Sequence, residues 1–397
     1  MSPSAPLPRA ARLVPEVIQT SAMDCGPAVL KAALEGFGVS VHLGHLRTAC
    51  QTDVDGTSID TLEDLAARLG MRPVQTIVPI EHVADLKCLP LPAVVVTANP
   101  DGSRHFVLLW RRFGPFVQVM DPASGRRHVR MSDLLPLLHR HSMVVPPDTA
   151  GRWAGSSVMR GGLQRRLARL GAAGLLDQVG SFTDLGTLAQ ATTAAEELVA
   201  SGAMKRAAAG PLIEALTHSP ELLTGTVPPV YDADKQAVLS GAVVLCLSAP
   251  DRVPVLTGSL GRALTHRSPP LWGQLIALLR TVAPGLLPLA VLMAAVSALG
   301  GVAQSAMFRA LIDADRWLPA PAARAGGIAV LLVLSAAMVG ISVAWSAVLA
   351  RAARALELRL RVRFHARLPR LDVRYFTSRL QSDLAERAHS LVALNTL

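Results

Sequence analysis

The stretch QTSAMDCGPAVL, Gln19 to Leu30, decides the fold. It leads into a helix predicted over Cys25–Gly36, apolar at Val29, Leu30, Ala33 and Leu34 and stopped by Gly36 and Gly38. Asp24 stands where an N-cap belongs, and Pro27 suits the first turn. A cysteine at such a position meets the positive end of the helix dipole, which favours the thiolate, the nucleophilic form. Gln19 lies on the approach to the helix, from where its side-chain amide can aim a donor at a developing oxyanion. A cysteine at a helix start carries no function by itself, so the reading depends on partners further along the chain.

A thiolate mechanism needs a base and a group that orients it. His105 opens the apolar run HFVLLW, directly after the turn string NPDG at 99–102. At a strand's first position it can face a cleft while Val107 and Leu109 enter the core. Asp121, in VMDPASG, closes the next apolar run, where a hairpin partner comes within reach of His105. Taken singly, Asp121 reads as a turn residue before Pro122 and His105 as a surface histidine. The ordered set Gln19, Cys25, His105, Asp121 is far more specific than any member.

Around these residues the chain reads as a compact α+β domain from 14 to 145. A second helix is predicted over 60–69, ending at Gly70, and strands of one sheet over 74–78, 93–97, 105–110 and 116–120. Residues 1–13 are rich in Pro, Ala and Arg and read as disordered. The string PPDTAGRWAG at 146–155 reads as a linker. Within 156–270, helices are expected over 163–175 and 194–209, the second stopped by Gly210 and Pro211, and 238–248 is a short apolar run. No catalytic motif occurs there. The linker and helical insert, 146–270, read as a helical connector with a small packed unit, the other reading being a substrate-binding insert.

The C-terminal part, 271–397, changes character. Residues 281–308 and 326–350 hold no charged side chain, and each exceeds the roughly 20 apolar residues that cross a bilayer. Two transmembrane helices are expected, with Pro284 and Pro288 near the start of the first, where they are best tolerated. Arg351, Arg354, Arg359, Arg361, Arg363, Arg367 and Arg370 follow the second span, and positive flanks stay inside. Both outer flanks are thus expected in the cytoplasm, with 309–324 on the far side. The first residues show no apolar h-region, so no signal peptide is expected.

Bulk properties fit this layout. A chain of 397 residues allows two or three domains. Net charge +10 and a pI near 10.4 suit nucleic acid or a membrane surface. The arginines thicken beside the apolar segments, and no zinc spacing or RNA-binding motif is present, so no nucleic-acid partner is expected. Cys25, Cys50, Cys88 and Cys246 are widely scattered, without metal-ligand spacing or a disulfide framework, as in domains facing a reducing compartment.

The residues also carry a resemblance. Gln19–Leu30, DGTSIDTLEDLAARLG at 55–70, HFVLL and DPASG together resemble the bacteriocin-processing peptidase domain of peptidase-containing ABC transporters. The resemblance covers about 14–145. It implies a papain-like cysteine peptidase that cuts a leader peptide after a double-glycine motif. It assigns Cys25 as nucleophile, His105 as general base and acid, Asp121 as the residue that orients His105, and Gln19 as part of the oxyanion hole. Cys50, in TACQTDVDG, resembles a cysteine of one exporter subgroup and is given no catalytic role.

The final third resembles the start of an ABC exporter's transmembrane domain, and LRVRFHARLPRLDVRYFTSRLQSDLAERAHS at 360–390 its intracellular extension. Six spans and an ATPase domain are usual there; this sequence holds two spans and no GxxxxGK[ST] loop, since GSLGRALT at 258–265 lacks the lysine. The expectations are a plasma-membrane, multi-pass protein with a cytoplasmic peptidase domain, no cofactor for the peptidase, and ATP only on a missing or separate nucleotide-binding domain or subunit. The partners expected are a double-glycine leader peptide, the lipid bilayer, that ATPase and a second copy in an exporter homodimer. The alternatives are a catalytically inert peptidase-like domain that binds cargo peptide for export, and a different papain-like activity such as amide transfer.

Overall fold

A computed structural model of the chain describes residues 10–83, 89–99, 101–223, 237–250, 256–266, 273, 276–277, 280–281, 284–313, 321–371 and 373–390. It divides into two compact units, 1–267 and 268–397. Cys88 and residues 1–9 of the expected N-terminal tail lie outside the described residues.

The first unit is built on one antiparallel sheet. Its strands are β1 (Val74–Val78), β2 (Ala93–Ala98), β3 (Arg104–Phe113), β4 (Phe116–Asp121), β5 (Gly125–Arg130), β6 (Arg140–Val145) and β7 (Ala237–Cys246). The order is β1-β7-β2-β3-β4-β5, with β6 paired to the far half of β7. Side chains alternate between two cores, as the pleat demands. Val94, Leu108, Trp110, Met120 and Leu245 pack with α1 (Cys25–Gly36), α2 (Leu43–Ala49) and α3 (Ile59–Arg68). Ala93, Val95, Val107, Leu109, Val117, Val119 and Val244 face the other way, onto α4 (Ile80–Val83) and α5 (Met131–Leu134).

Helix α1 has the predicted bounds, and Val29, Leu30, Ala33 and Leu34 are all buried. Gly36 is there for space. A Cβ at this position would stand 2.4 Å from the Trp110 ring, so the last turn of α1 lies directly on β3. The second expected helix is α3, capped by Ser58, whose Oγ accepts from the Thr61 N–H at 3.1 Å. The predicted strands and the turn after β2 are present, Pro100 of that turn lying outside the described residues.

The region after 145 differs from its sequence reading. Residues 146–155 are not a linker. Pro147–Ala154 forms helix α6, with Pro147 at a position that has no N–H to satisfy, and Trp153 donates from Nε1 to the Ile77 carbonyl at 2.8 Å. The expected 163–175 helix is α7 (Met159–Arg169), ended before Gly171, whose φ of +76° is left-handed, and followed by a 3-10 turn over Ala173–Gln178. The expected 194–209 helix is two helices, α8 (Phe182–Ala200) and α9 (Ala209–His218), reversing at Gly202 (φ +75°). Gly210 and Pro211 open α9 rather than closing its predecessor, because proline fits a helix's first turn. The apolar run at 238–248 is β7, buried on both faces between β1 and β2. A last helix, α10 (Gly258–Thr265), lies on α2. The compact unit therefore runs through the expected boundary at 145/146.

The second unit contains two long apolar helices, Leu286–Ile312 and Pro321–Arg367. Both are long and apolar enough to cross a membrane. At 1.5 Å per residue the 47-residue helix is about 70 Å long, more than twice a hydrocarbon core, so its arginine-rich end extends well past any span. Gln304 donates from Nε2 to Ser335 Oγ at 2.9 Å between the two.

Candidate active site

Three elements converge on Cys25. The cysteine is the first residue of α1 and is 7% exposed. His105 sits near the start of β3 and pairs in register with Thr97 of β2. Asp121 ends β4. His105 Nε2 donates to Asp121 Oδ1 at 2.8 Å, and both side chains are 9% exposed. The Cys25 thiol lies close enough to the same imidazole to favour its charged form. With Nε2 committed to the carboxylate, Nδ1 is the atom left for the sulfur.

The Asp121 carboxylate is held by more than the histidine. Oδ1 also accepts from the Ala123 N–H at 2.8 Å, and Oδ2 accepts from Ser124 Oγ at 2.7 Å and Arg127 Nη2 at 2.9 Å. Burial alone would raise this acid, but the hydrogen bonds from His105, Ser124 and Ala123 overcome it and hold the carboxyl well below the usual range. Burial likewise opposes charge on His105. Its hydrogen bond to Asp121 and the nearby Cys25, with their charges, prevail and raise the imidazole to about 9. At neutral pH the ring is therefore protonated between a carboxylate and a sulfur.

Gln19 is tied to the same loop by its backbone, whose N–H donates to the Pro122 carbonyl at 2.9 Å. Its Oε1 is buried without a protein partner. His105 and Asp121 are thus hydrogen-bonded beside Cys25, with Gln19 anchored next to the turn that follows Asp121. On the other side of Cys25, Gly26 leaves space for Thr57, whose Cβ lies 3.1 Å from where a Gly26 Cβ would be.

Sequence reading missed two parts of this arrangement. Asp24 occupies the N-cap position but makes no side-chain cap. It turns to Arg47 of α2, with Nε donating to Oδ1 at 2.5 Å, and accepts from Thr20 Oγ1 on Oδ2 at 2.8 Å. No local pattern links residues 24 and 47. The bracing of Asp121 by Ala123 and Ser124 was readable, because an aspartate opening a tight turn accepts from the backbone two residues on. The partner Arg127 was not. Among the described residues no group of three or more His, Cys, Asp or Glu is arranged to hold a metal ion.

Residues 14–148 match the Peptidase C39 family. The chain is 25% identical over 117 residues to "Lactococcin-G-processing and transport ATP-binding protein LagD" of Lactococcus lactis subsp. lactis, a match covering 30% of this chain and 16% of the relative. The chain therefore spans about a sixth of that relative's length. Two solved structures are similar to it. One is a double glycine motif protease from an AMS/PCAT transporter in complex with the leader peptide (24% identity, 34% of this chain, 91% of that one, TM-score 0.29). The other is the peptidase domain of Streptococcus ComA, a bi-functional ABC transporter involved in a quorum sensing pathway (20% identity, 31% and 90%, TM-score 0.29).

Proposed function

We propose that the Peptidase C39 domain of this chain is an active cysteine endopeptidase that removes the leader of a ribosomally made, bacteriocin-like peptide after a double-glycine motif. The observation that carries this is the His105–Asp121 hydrogen bond set beside Cys25, the first residue of α1. The Cys25 thiolate attacks the carbonyl carbon of the second glycine. The oxyanion of the tetrahedral intermediate takes a donor from the Gln19 side-chain amide. His105, protonated at neutral pH, gives its proton to the departing amine, leaving a thioester on Cys25. It then takes a proton from water as the hydroxide of that water attacks the thioester carbon; the C–S bond breaks, the leader leaves as a carboxylic acid that ionises to solvent, and the thiolate is restored beside a protonated His105. Asp121 keeps the imidazole in the orientation and tautomer that both steps need.

The domain acts in the cytoplasm, on a multi-pass protein of the plasma membrane. Two apolar helices and the arginines after the second support that placement. Cleavage is coupled to export through an ABC transporter that works as a homodimer. ATP is used by a nucleotide-binding domain or subunit beyond this sequence, and the peptidase step needs no cofactor. The test is the detergent-solubilised chain with a synthetic leader ending in Gly-Gly. Cys25→Ala should abolish cleavage, at least a 10³-fold loss, with an unchanged melting temperature. Full cleavage by that variant would sink the proposal.

A further inference from the structure

A carboxylate next to a nucleophilic cysteine is an electrostatic obstacle. Asp24 directly precedes Cys25, so their Cα atoms are about 3.8 Å apart. Its anion shares the helix N-terminus on which a thiolate depends. Yet Asp24 is buried, with its side chain 1% exposed, and caps nothing. Both carboxylate oxygens are engaged, Oδ1 by Arg47 and Oδ2 by Thr20. Arg47 is itself 8% exposed and reaches in from α2. Buried ion pairs give little net stability over apolar pairs of the same volume, so stability alone is a weak reason for two charges here.

We propose that Arg47 is a positioning residue for the nucleophile: by pairing with Asp24 it cancels the carboxylate charge beside Cys25 and fixes the turn that presents the sulfur. This deepens the peptidase reading and rests on it. With Arg47 present, the helix end and the His105 imidazolium act on the sulfur without opposition. With Arg47 removed, an uncompensated anion one residue away disfavours the thiolate. The buried Cys50 thiol lies near both charges. Burial dominates at that thiol and pushes it up to about 12, while Arg47 acts downward and Asp24 upward.

The test reads the pH midpoint of iodoacetamide alkylation at Cys25, followed on its own peptide by mass spectrometry in the full detergent-solubilised chain. Arg47→Lys keeps the charge and should keep the wild-type midpoint. Arg47→Gln should raise it by about one unit. The pair Asp24→Asn/Arg47→Gln removes both charges and should return it to near wild type. If Arg47→Gln does not fold, Asp24→Asn against that pair supplies the same comparison, with the single variant's midpoint the lower. Unmoved midpoints with altered melting temperatures would show a purely structural pair and overturn the inference. A wild-type Cys25 that alkylates no faster than free cysteine overturns the peptidase reading itself, and this inference with it.

Discussion

Two aspartate–arginine pairs flank Cys25 and His105, and they are built differently. Asp24–Arg47 stands behind the sulfur, with side-chain exposures of 1% and 8%. Asp121–Arg127 stands behind the imidazole, with exposures of 9% and 52%. In the first pair the arginine is the carboxylate's main charged partner and both lie out of water. In the second, water reaches the guanidinium, and the carboxylate has three other donors. The same residue types therefore have different weights. The buried pair ties the start of α1 to α2 at Cys25, whereas the outer arginine adds one bond to a carboxylate that is already held.

The contrast is most exposed to test at Arg47. Arg47→Met leaves Asp24 buried and unpaired, which should cost about 3–5 kcal/mol, read as a shift in the denaturant midpoint. A loss below about 1 kcal/mol would place this pair in the class of the outer one. Asp121→Asn comes next. It removes the acceptor that orients His105, so kcat/KM on a Gly-Gly leader should fall about 100-fold, near 3 kcal/mol of transition-state stabilisation, with little change in fold.

The pH profile bears on the histidine side. The His105 proton is held more tightly in the folded state, with its titration raised from 6.5 to about 9. Its contribution to stability is therefore complete below about 6.5 and lost as pH rises through about 9. Activity should decline over the same alkaline limb, and Asp121→Asn should move that limb to lower pH. A limb near 6.5 in the wild type would mean that Asp121 and Cys25 do not act on the ring. The smallest effect belongs to Arg127→Ala, at most about 1 kcal/mol in stability and a few-fold in kcat/KM, because half of that side chain is in water.

Legibility in the sequence tracks the distance between partners. The bounds of α1 and the strands near β1 to β4 are set by local periodicity and by Gly and Pro, and they were legible. So was the meeting of His105 and Asp121, because the β3–β4 hairpin brings the two strands side by side. The Asp24–Arg47 bond was not, since nothing local marks a partner 23 residues away. The cap position was correctly placed, but burial beside an arginine outcompeted capping. After residue 145 the local signals misled. Pro146, Pro147 and Gly151 read as linker, though Pro147 starts α6 and Trp153 anchors it. The run at 238–248 showed its hydrophobicity and not its destination between β1 and β2, which only pairing with strands some 150 residues earlier decides.

That late strand bears on how the protein is made. When Val145 leaves the ribosome, the segments of six strands have been made, but in the complete sheet β1 and β2 do not pair with each other, and the place between them belongs to β7. Cys246 emerges about 100 residues later, which at typical elongation rates takes roughly 5–20 s. For that time the sheet carrying His105 has an open seam lined by Ala93, Val94 and Val95, whose partners are Cys246, Leu245 and Val244. A nascent chain in this state is a candidate for chaperone binding. A recombinant fragment cut at residue 148, where the family match ends, would keep the seam open permanently, while one reaching Thr265 would close it.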